Sequence, residues 1–278
     1  MTNKIYPCLW FDGNAKAAAD FYCSIFKNSK LTVETPMVVN FVLSGKKFMG
    51  LNGGPMFMFT PAISFFVLCE SINETNDVWN KLIEGGKALM PIDKYPWSER
   101  YGWVQDKFGL TWQISVVNKE GDIQKITTSL LFTNNQFGRA EEAVKFYTSV
   151  FNNSATDILI HYFKEDPNAG KVMFSEFNLN HYRLIAMDGP GAHEYTFNEA
   201  VSLVVDCETQ EEIDYYWNKL TEGGSESMCG WLKDKFGISW QIVPTVLGKL
   251  MTDPVRAPRV IQAFMKMKKF DIAALINA

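Results

Sequence analysis

Residues 103–114 read WVQDKFGLTWQI, and residues 231–242 read WLKDKFGISWQI. Eight of these twelve positions are identical. A second block, residues 79–86, returns at residues 217–224 with seven of its eight positions identical. Matched blocks that keep their order along the chain indicate a duplicated domain, and 278 residues are enough for two domains of ordinary size.

The spacing between matched blocks differs between the two copies. A third block, residues 21–29, returns at residues 146–154, a shift of 125 (146 − 21). The other two blocks are shifted by 138 (217 − 79) and 128 (231 − 103). The second copy therefore gains residues after its first helix and lacks a stretch that the first copy has at residues 89–100. Because length differences concentrate in loops, the halves are expected to share a scaffold and to differ in their pockets.

Composition favours a globular protein. The hydrophobic fraction is 47%, the formal net charge is −4 and the sequence pI is about 5.5. A nucleic-acid surface would need a basic stripe, so no nucleic-acid partner is predicted. The chain shows no signal peptide and no apolar run of membrane-spanning length, which predicts a cytoplasmic protein with no membrane partner. The five cysteines include no Cys-x-x-Cys pair and are expected to be free thiols.

Hydrophobic periodicity predicts an α+β fold. Residues 5–11 have the pattern of a strand, residues 15–26 have helical spacing after a possible N-cap at Asn14, and residues 74–84 form a second amphipathic helix. Strand patterns follow each helix, so each half is expected to contain two β-α-β-β(-β) modules. The predicted organisation is a first domain at residues 1–119, a linker at 120–126, a second domain at 127–245 and a helical tail at 246–278. A helix is predicted within the tail at residues 258–269.

Several motifs resemble the PhnB-like proteins of the glyoxalase/bleomycin-resistance/dioxygenase (vicinal oxygen chelate) superfamily. They are PCLWFDGN at residues 7–14, LNGGP at 51–55 and the repeated WxxDxFGxxWQI. The group carries the label 3-demethylubiquinone-9 3-methyltransferase domain, and the resemblance covers about residues 4–117 and 127–244. It implies tandem glyoxalase-like domains, each of paired βαβββ modules whose curled, mostly antiparallel sheet encloses a pocket. Two fused copies would mimic the dimer of single-domain relatives, and a homodimer of the chain is a further expectation.

The same resemblance implies where a metal would bind. Metal enzymes of the superfamily hold a divalent ion with His, Glu or Gln at four strand positions. On this chain those positions fall near Pro7 or Cys8, near Gly50, near Ser64 and at Gln113, and in the second copy near Ser129 or Leu130, near Ala186, near Ser202 and at Gln241. A lone glutamine amide does not retain a metal, and none of the three histidines falls at a ligand position. No metal and no cofactor are therefore predicted.

The methyltransferase label is a separate hypothesis. Binding of S-adenosylmethionine usually requires a glycine-rich turn between a first strand and a helix. The first strand leads instead into Asp12-Gly13-Asn14, which has one glycine. The glycines after Asn52 and Asp188 precede further strands, so they indicate turns rather than a nucleotide site.

Eight residues are candidates for lining a ligand pocket. Gln113 and Gln241 lie on apolar strands, where an amide either pairs with a neighbouring group or points into a pocket. The tryptophans could be core or ligand platforms, and the turn residues could be caps or part of a cavity mouth. An aromatic segment with one arginine occurs only in the first copy and is either a lid or a surface loop. The candidates are Asn52, Trp97, Arg100, Trp103, Gln113, Asp188, Trp231 and Gln241.

The sequence thus predicts a metal-free protein that binds a small molecule of unknown identity in one or both halves. The alternative is a lyase, isomerase or dioxygenase of the superfamily that uses a divalent metal. A methyltransferase, as the family label states, is the weaker alternative.

Overall fold

A computed structural model describes residues 4–117 and 125–278 of the chain. The chain packs as two compact units. One unit consists of residues 1–6 and 202–278, and the other of residues 7–201. Within the described residues, no helix has the length and hydrophobicity that crossing a membrane requires.

Each repeat contains two βαβββ modules, as predicted. The elements of the first repeat are β1 (Ile5–Phe11), α1 (Ala15–Ile25), β2 (Lys30–Glu34), β3 (Val38–Leu43), β4 (Lys46–Asn52), β5 (Ile63–Cys69), α2 (Ile72–Leu82), β6 (Lys87–Tyr95), β7 (Ser98–Gln105) and β8 (Thr111–Val116).

The second repeat follows the same order, with one added 3-10 turn, and continues into a helical tail. Its elements are β9 (Ile126–Phe132), the turn (Asn134–Gln136), α3 (Ala140–Val150), β10 (Ala155–His161), β11 (Val172–Leu179), β12 (Tyr182–Asp188), β13 (Val201–Cys207), α4 (Gln210–Thr221), β14 (Ser225–Glu226), β15 (Trp231–Lys233), β16 (Ser239–Pro244), and the tail helices α5 (Val246–Met251), α6 (Ala257–Phe264) and α7 (Ile272–Ile276).

An eight-stranded sheet in the unit of residues 7–201 takes four strands from each repeat. Its order is β10-β11-β12-β9-β5-β8-β7-β6. Strands β5 and β9 are antiparallel neighbours at its centre, with Ser64 opposite Ser129 and Phe65 opposite Thr128. The β5–β8 and β9–β12 pairs are parallel, and the other pairs are antiparallel. We call it the inter-repeat sheet, because it joins the second module of one repeat to the first module of the other.

The remaining strands repeat this pattern within each unit. In the unit of residues 7–201, β4 pairs parallel with β1 and antiparallel with β3, which pairs with β2. In the other unit, β16 pairs parallel with β13 and antiparallel with β15, which pairs with β14. The first and last strands of each module are therefore parallel neighbours, and the fold is α+β with mostly antiparallel pairing.

The repeated Asp-Lys-Phe-Gly motif braces a hairpin and its core tryptophan. The Oδ1 atom of Asp106 accepts hydrogen bonds from the backbone N–H groups of Phe108 at 2.8 Å and Leu110 at 3.1 Å. Its Oδ2 atom accepts from Nε1 of Trp112 at 2.8 Å. Gly109 has a φ of +89°, a conformation that favours glycine. Asp106 therefore forms the turn, and its bond to the buried indole explains why the aspartate and tryptophan recur together.

The same bonds recur at Asp234, which lies in the other unit. Its Oδ1 atom accepts from the backbone N–H groups of Phe236 at 2.9 Å and Ile238 at 3.1 Å, and its Oδ2 atom accepts from Nε1 of Trp240 at 2.8 Å. The motif that reveals the duplication is therefore a structural brace in both copies.

One face of the inter-repeat sheet is covered by an aromatic core. Phe65 of β5 lies beside Trp112 of β8 on this face. Tyr22 and Phe26, from helix α1 and its C-terminal cap, contact the Trp112 ring at centroid distances of 5.1 and 5.2 Å. The side chains on the opposite face of the inter-repeat sheet do not belong to this aromatic core.

Three local expectations need correction. The segment at residues 89–100 forms most of the β6–β7 hairpin, with Pro96 and Trp97 in its two-residue turn, and is not an extended loop. Asn14 precedes α1, but its side chain makes no capping hydrogen bond. The tail helix predicted at residues 258–269 ends at Phe264. It ends there because the backbone that follows makes hydrogen bonds outside the helix. The carbonyl groups of Met267 and Lys268 accept hydrogen bonds, at 2.7 Å each, from the backbone N–H groups of residues 229 and 230. Residues 120–124 of the predicted linker lie outside the described residues.

Candidate functional site

Polar and aromatic side chains share the second face of the inter-repeat sheet. Alternation along β8 directs Gln113 away from the aromatic core. Phe66 of β5 and Trp103 of β7 lie on either side of Gln113 in register, and Ser64 lies opposite Ser129 of β9. We call this surface the Gln113 face and define it by these five residues, to which both repeats contribute.

The amide of Gln113 is held by two side chains. Tyr101 donates from its hydroxyl to Oε1 of Gln113 at 2.7 Å, and Nε2 of Gln113 donates to Oγ of Ser64 at 2.8 Å. All three side chains are buried. Burial raises the pKa of Tyr101 well above its ordinary value, so the phenol keeps its proton and acts as the donor. The cluster is neutral and has a fixed orientation.

Two buried groups on the same face have no hydrogen-bond partner within the described part of the chain. They are Nε1 of Trp103 and Oγ of Ser129. Ser129 is only 1% exposed. Leaving a buried donor or acceptor unpaired costs about 1–3 kcal/mol. Neither atom is accessible from the surface of the sheet, so the cost is borne within the fold.

Aromatic rings extend the Gln113 face on both sides of β5. The Phe66 ring lies 6.2 Å from the Tyr101 ring and 6.5 Å from the Phe174 ring of β11, measured between centroids. Tyr101 also meets Trp97 edge to face at 5.6 Å. Phe66, Trp103 and Phe174 are partly exposed, so their rings are available for stacking.

The family model described as 3-demethylubiquinone-9 3-methyltransferase matches residues 3–115 and 124–243, which are most of the chain. The chain belongs to this PhnB-like family. Both repeats of the PhnB-like protein are matched separately, which agrees with the duplication predicted from its sequence. A comparison with curated proteins gave no match.

Two solved structures illustrate the relationships of the PhnB-like protein. A PhnB protein from Bacillus cereus is 35% identical, and the match covers 41% of this chain and 100% of that one, with a TM-score of 0.40. Glyoxalase I from Zea mays is 11% identical over 90% of this chain and 95% of that one, with a TM-score of 0.57. The second likeness shows a glyoxalase-like fold.

The Gln113 face brings together three of the positions at which the family resemblance predicts metal ligands. Ser64 and Gln113 come from the first repeat and Ser129 from the second. Their donor atoms are two hydroxyls and an amide oxygen that already accepts from Tyr101. Stable sites for divalent ions use carboxylate, imidazole or thiolate groups, so this neutral set does not fit such an ion. No cluster of three His, Cys, Asp or Glu side chains that could hold a metal occurs in residues 4–117 and 125–278.

The histidines lie elsewhere. Nε2 of His161, on β10, is 2.8 Å from Oε2 of Glu141, and Nε2 of His193 is 3.1 Å from the carbonyl oxygen of Pro190. His181 is exposed in the turn between β11 and β12. None of the three histidines belongs to the Gln113 face.

Asn52 and Asp188 support helix starts at equivalent positions. Oδ1 of Asn52 accepts from the backbone N–H of Ala15 at 3.0 Å. Oδ1 of Asp188 accepts from the backbone N–H of Gly138 at 2.7 Å, and its Oδ2 accepts from that of Val172 at 2.9 Å. These bonds occupy the polar atoms of both side chains in backbone contacts, which supports the capping interpretation.

The glycines after Asn52 allow the backbone to pack closely against Trp10. Nε1 of Trp10 donates to the carbonyl oxygen of Gly54 at 2.7 Å. A Cβ atom at Gly53 would lie 2.2 Å from the Trp10 ring, so only glycine fits there. The chain then continues to β5 without an intervening helix. This geometry differs from the strand–turn–helix arrangement that cradles a nucleotide.

Trp97 and Arg100 both lie on the β6–β7 hairpin, but their side chains point in different directions. Trp97 is 62% exposed and stacks on Tyr95 at 5.1 Å. Nε of Arg100 donates to Oδ1 of Asn76 on helix α2 at 2.7 Å. Arg100 alternates with Tyr101 along β7 and so points away from the Gln113 face.

Trp231 and Gln241 lie in the unit of residues 1–6 and 202–278. They are opposite each other on β15 and β16. Nε2 of Gln241 donates to Oγ of Ser202 at 2.9 Å, and the hydroxyl of Ser239 is buried without a partner in the described residues. The glutamine–serine pair therefore occurs in both repeats.

Five residues that form or border the Gln113 face were not among the sequence candidates: Ser64, Phe66, Tyr101, Ser129 and Phe174. Tyr101 could have been found, because it alternates with Trp103 along the same strand. The sequence indicates Ser129 only as a position whose side chain is unsuited to binding a metal. Its proximity to Ser64 depends on pairing between the repeats. Phe174 carries no sequence signal that distinguishes it from a core residue.

The thiols show no activation. Burial raises the pKa of Cys69 and Cys207 to about 12. Burial also raises the pKa of Cys229, whose Sγ atom lies 3.7 Å from the carbonyl oxygen of Phe264. Since the thiolate is the nucleophile, these groups are not suited to nucleophilic catalysis.

Proposed function

We propose that this PhnB-like protein binds a small organic molecule on the Gln113 face without a divalent metal. The observation that carries the proposal is the pairing of Gln113 with Tyr101 and Ser64. It fixes a neutral amide and hydroxyl set at positions where metal enzymes of the superfamily carry ligands. The partly exposed rings of Phe66, Trp103 and Phe174 give such a molecule stacking contacts.

The chemistry of the Gln113 face favours binding over catalysis. Ser64, Gln113 and Ser129 contain no group that could act as a general base near neutral pH. Burial raises the pKa of the Tyr101 phenol, so it is not a general base, and its hydroxyl orients Gln113. A metal-assisted lyase, isomerase or dioxygenase is the alternative, and it requires a metal that this set of donors would not retain.

Elemental analysis of untagged protein by plasma mass spectrometry tests the proposal. We expect substoichiometric amounts of nickel, zinc, manganese, iron and cobalt. Ligands found by thermal-shift screening should stabilise the protein equally with and without a chelator. One equivalent of a divalent metal, or a ligand response that the chelator abolishes, would reject metal-free binding and favour the enzyme.

Trp97→Ala separates ligand contact from core packing at the hairpin. Because Trp97 is 62% exposed, its loss should change the unfolding free energy by no more than about 0.5 kcal/mol. Its edge-to-face contact with Tyr101 places it beside the Gln113 face, so compounds found by the screen should bind more weakly. Denaturant unfolding and ligand titration measure the two effects. A stability loss near 3 kcal/mol, typical of a buried aromatic, would make Trp97 a core residue.

A further inference from the structure

We infer that residues 265–278 form a releasable strap, which has in the second repeat the place that β6 has in the first and opens separately from the rest of its unit. In the closed form the strap completes the outer edge of the sheet at residues 229 and 230, just before β15, and in the open form it uncovers that edge. The inference concerns the unit of residues 1–6 and 202–278. It is independent of the proposed function, which concerns the Gln113 face.

The second repeat lacks most of the strand that forms the outer edge of the first. Strand β6 has nine residues and pairs with β7 along its length. Its counterpart β14 has two residues, which pair with the end of β15. The shift of 138 relates these two residues to positions 87 and 88. The part of β6 from residue 89 onward therefore has no counterpart in β14.

The strap fills the remaining part of this edge. The backbone N–H of Cys229 donates to the carbonyl oxygen of Met267, and that of Gly230 donates to the carbonyl oxygen of Lys268, at 2.7 Å each. The shift of 128 relates these two donors to residues 101 and 102, which belong to the part of β7 that pairs with β6. The strap thus makes backbone contacts where the first repeat uses a strand.

The side chain of Cys229 lies against the start of the strap. Its Sγ atom is 3.8 Å from Sδ of Met265 and 3.7 Å from the carbonyl oxygen of Phe264, at the end of α6. Tyr101, the counterpart of Cys229, contacts Trp97 of the β6–β7 hairpin edge to face. The strap and the hairpin therefore border the same position in the two repeats.

Few buried side chains anchor the strap. Phe270 and Leu275 are buried, whereas the other residues of the strap are partly or fully exposed. A Cβ atom at Gly230 would lie 2.4 Å from the Phe270 ring, so the closed strap requires glycine there. Segments with few buried apolar contacts open at a lower free energy than the core of a domain. The strap is therefore expected to open while β13 and β16 stay paired.

Polar contacts join the strap to helix α4. Nε2 of Gln210 donates to the carbonyl oxygen of Phe270 at 3.1 Å, and its Oε1 accepts from the backbone N–H of Ile272 at 2.9 Å. Nζ of Lys269 lies 2.6 Å from Oδ1 of Asp214. Because the side chains of Gln210, Lys269 and Asp214 are partly exposed, water can replace these contacts on opening. They orient the closed strap and do little to prevent its release.

Hydrogen exchange of the backbone amides, resolved by nuclear magnetic resonance, tests the inference in the wild-type chain. The N–H groups of Cys229 and Gly230 report the pairing with the strap, and those of β13 report the opening of the core of the unit. After correction for intrinsic rates, the Cys229 and Gly230 amides should exchange at least tenfold faster than the slowest amides of β13. Equal rates would mean that the strap opens only together with the core, and they would overturn the inference.

Matched substitutions in the strap test its contact with the edge. Leu275→Ala removes a buried anchor and should accelerate exchange of the Cys229 and Gly230 amides at least tenfold. Ile276→Ala changes the adjacent, exposed residue and should alter these rates by no more than about twofold. Phe270→Ala should act like Leu275→Ala and replaces it if that variant fails to fold. Unchanged exchange at residues 229 and 230 in a folded anchor variant would show that the strap does not cover this edge.

Discussion

Asp106→Ala should lower the free energy of unfolding by about 3 kcal/mol or more. The substitution removes the acceptor for the backbone N–H groups of Phe108 and Leu110 and for Nε1 of Trp112. Leu110 and Trp112 are fully buried, so solvent cannot replace the lost bonds. Denaturant unfolding followed by circular dichroism measures the loss.

Matched substitutions make this test specific. Asp234→Ala removes the same three bonds in the second repeat and should cost a similar amount. Asp12→Ala changes an exposed turn residue and should stay within about 0.5 kcal/mol of wild type. Similar small losses at all three positions would mean that the Asp-Lys-Phe-Gly brace contributes little to stability.

The pH dependence of the stability of the Asp106→Asn variant is a second test of the same site. Burial is the main influence on the pKa of Asp106 and raises it above its ordinary value. A raised folded-state pKa means that the contribution of the carboxyl group is fully present below the unfolded value of about 3.9. That contribution decreases as the pH rises through the folded value. The stability advantage of wild type over Asp106→Asn should therefore narrow from acidic to neutral pH.

The repeat and its periodicity predicted the modules well, because each strand and helix carries its own hydrophobic pattern. Alternation along a strand predicts that Trp103 and Gln105 share a face, and the register of β7 agrees. The β6–β7 hairpin was harder to predict. Pro91 interrupts the strand pattern, yet β6 is an edge strand of the inter-repeat sheet, where the missing N–H of proline is tolerated.

The composition of the Gln113 face could not be derived from local patterns. Alternation tells which residues of β5 share a face, but it does not tell which strand lies beside them. Ser64 and Ser129 are far apart in sequence and meet only because β5 pairs with β9 across the repeats. Sequence patterns therefore identify candidates only within each repeat, although this face is built from both.

Separating the two repeats should abolish soluble, monomeric folding. Strands β5 and β9 are paired from Ile63 opposite Leu130 to Val67 opposite Ile126. Fragments 1–117 and 125–278 would each expose one of these apolar strands with unpaired backbone groups, and such an edge promotes association. We expect each fragment alone to aggregate or self-associate in analytical ultracentrifugation.

Co-expression of the two fragments is the control, and it should yield a complex in which the pairing of β5 with β9 is restored. Two monomeric fragments with native circular dichroism would show that the inter-repeat sheet is not required for folding. Ligand binding is an independent test of whether both repeats are required. Because Ser129 and Phe174 come from the second repeat and Trp103 and Gln113 from the first, neither fragment contains a complete Gln113 face. Binding should return only with the complex, even if a fragment alone remains folded.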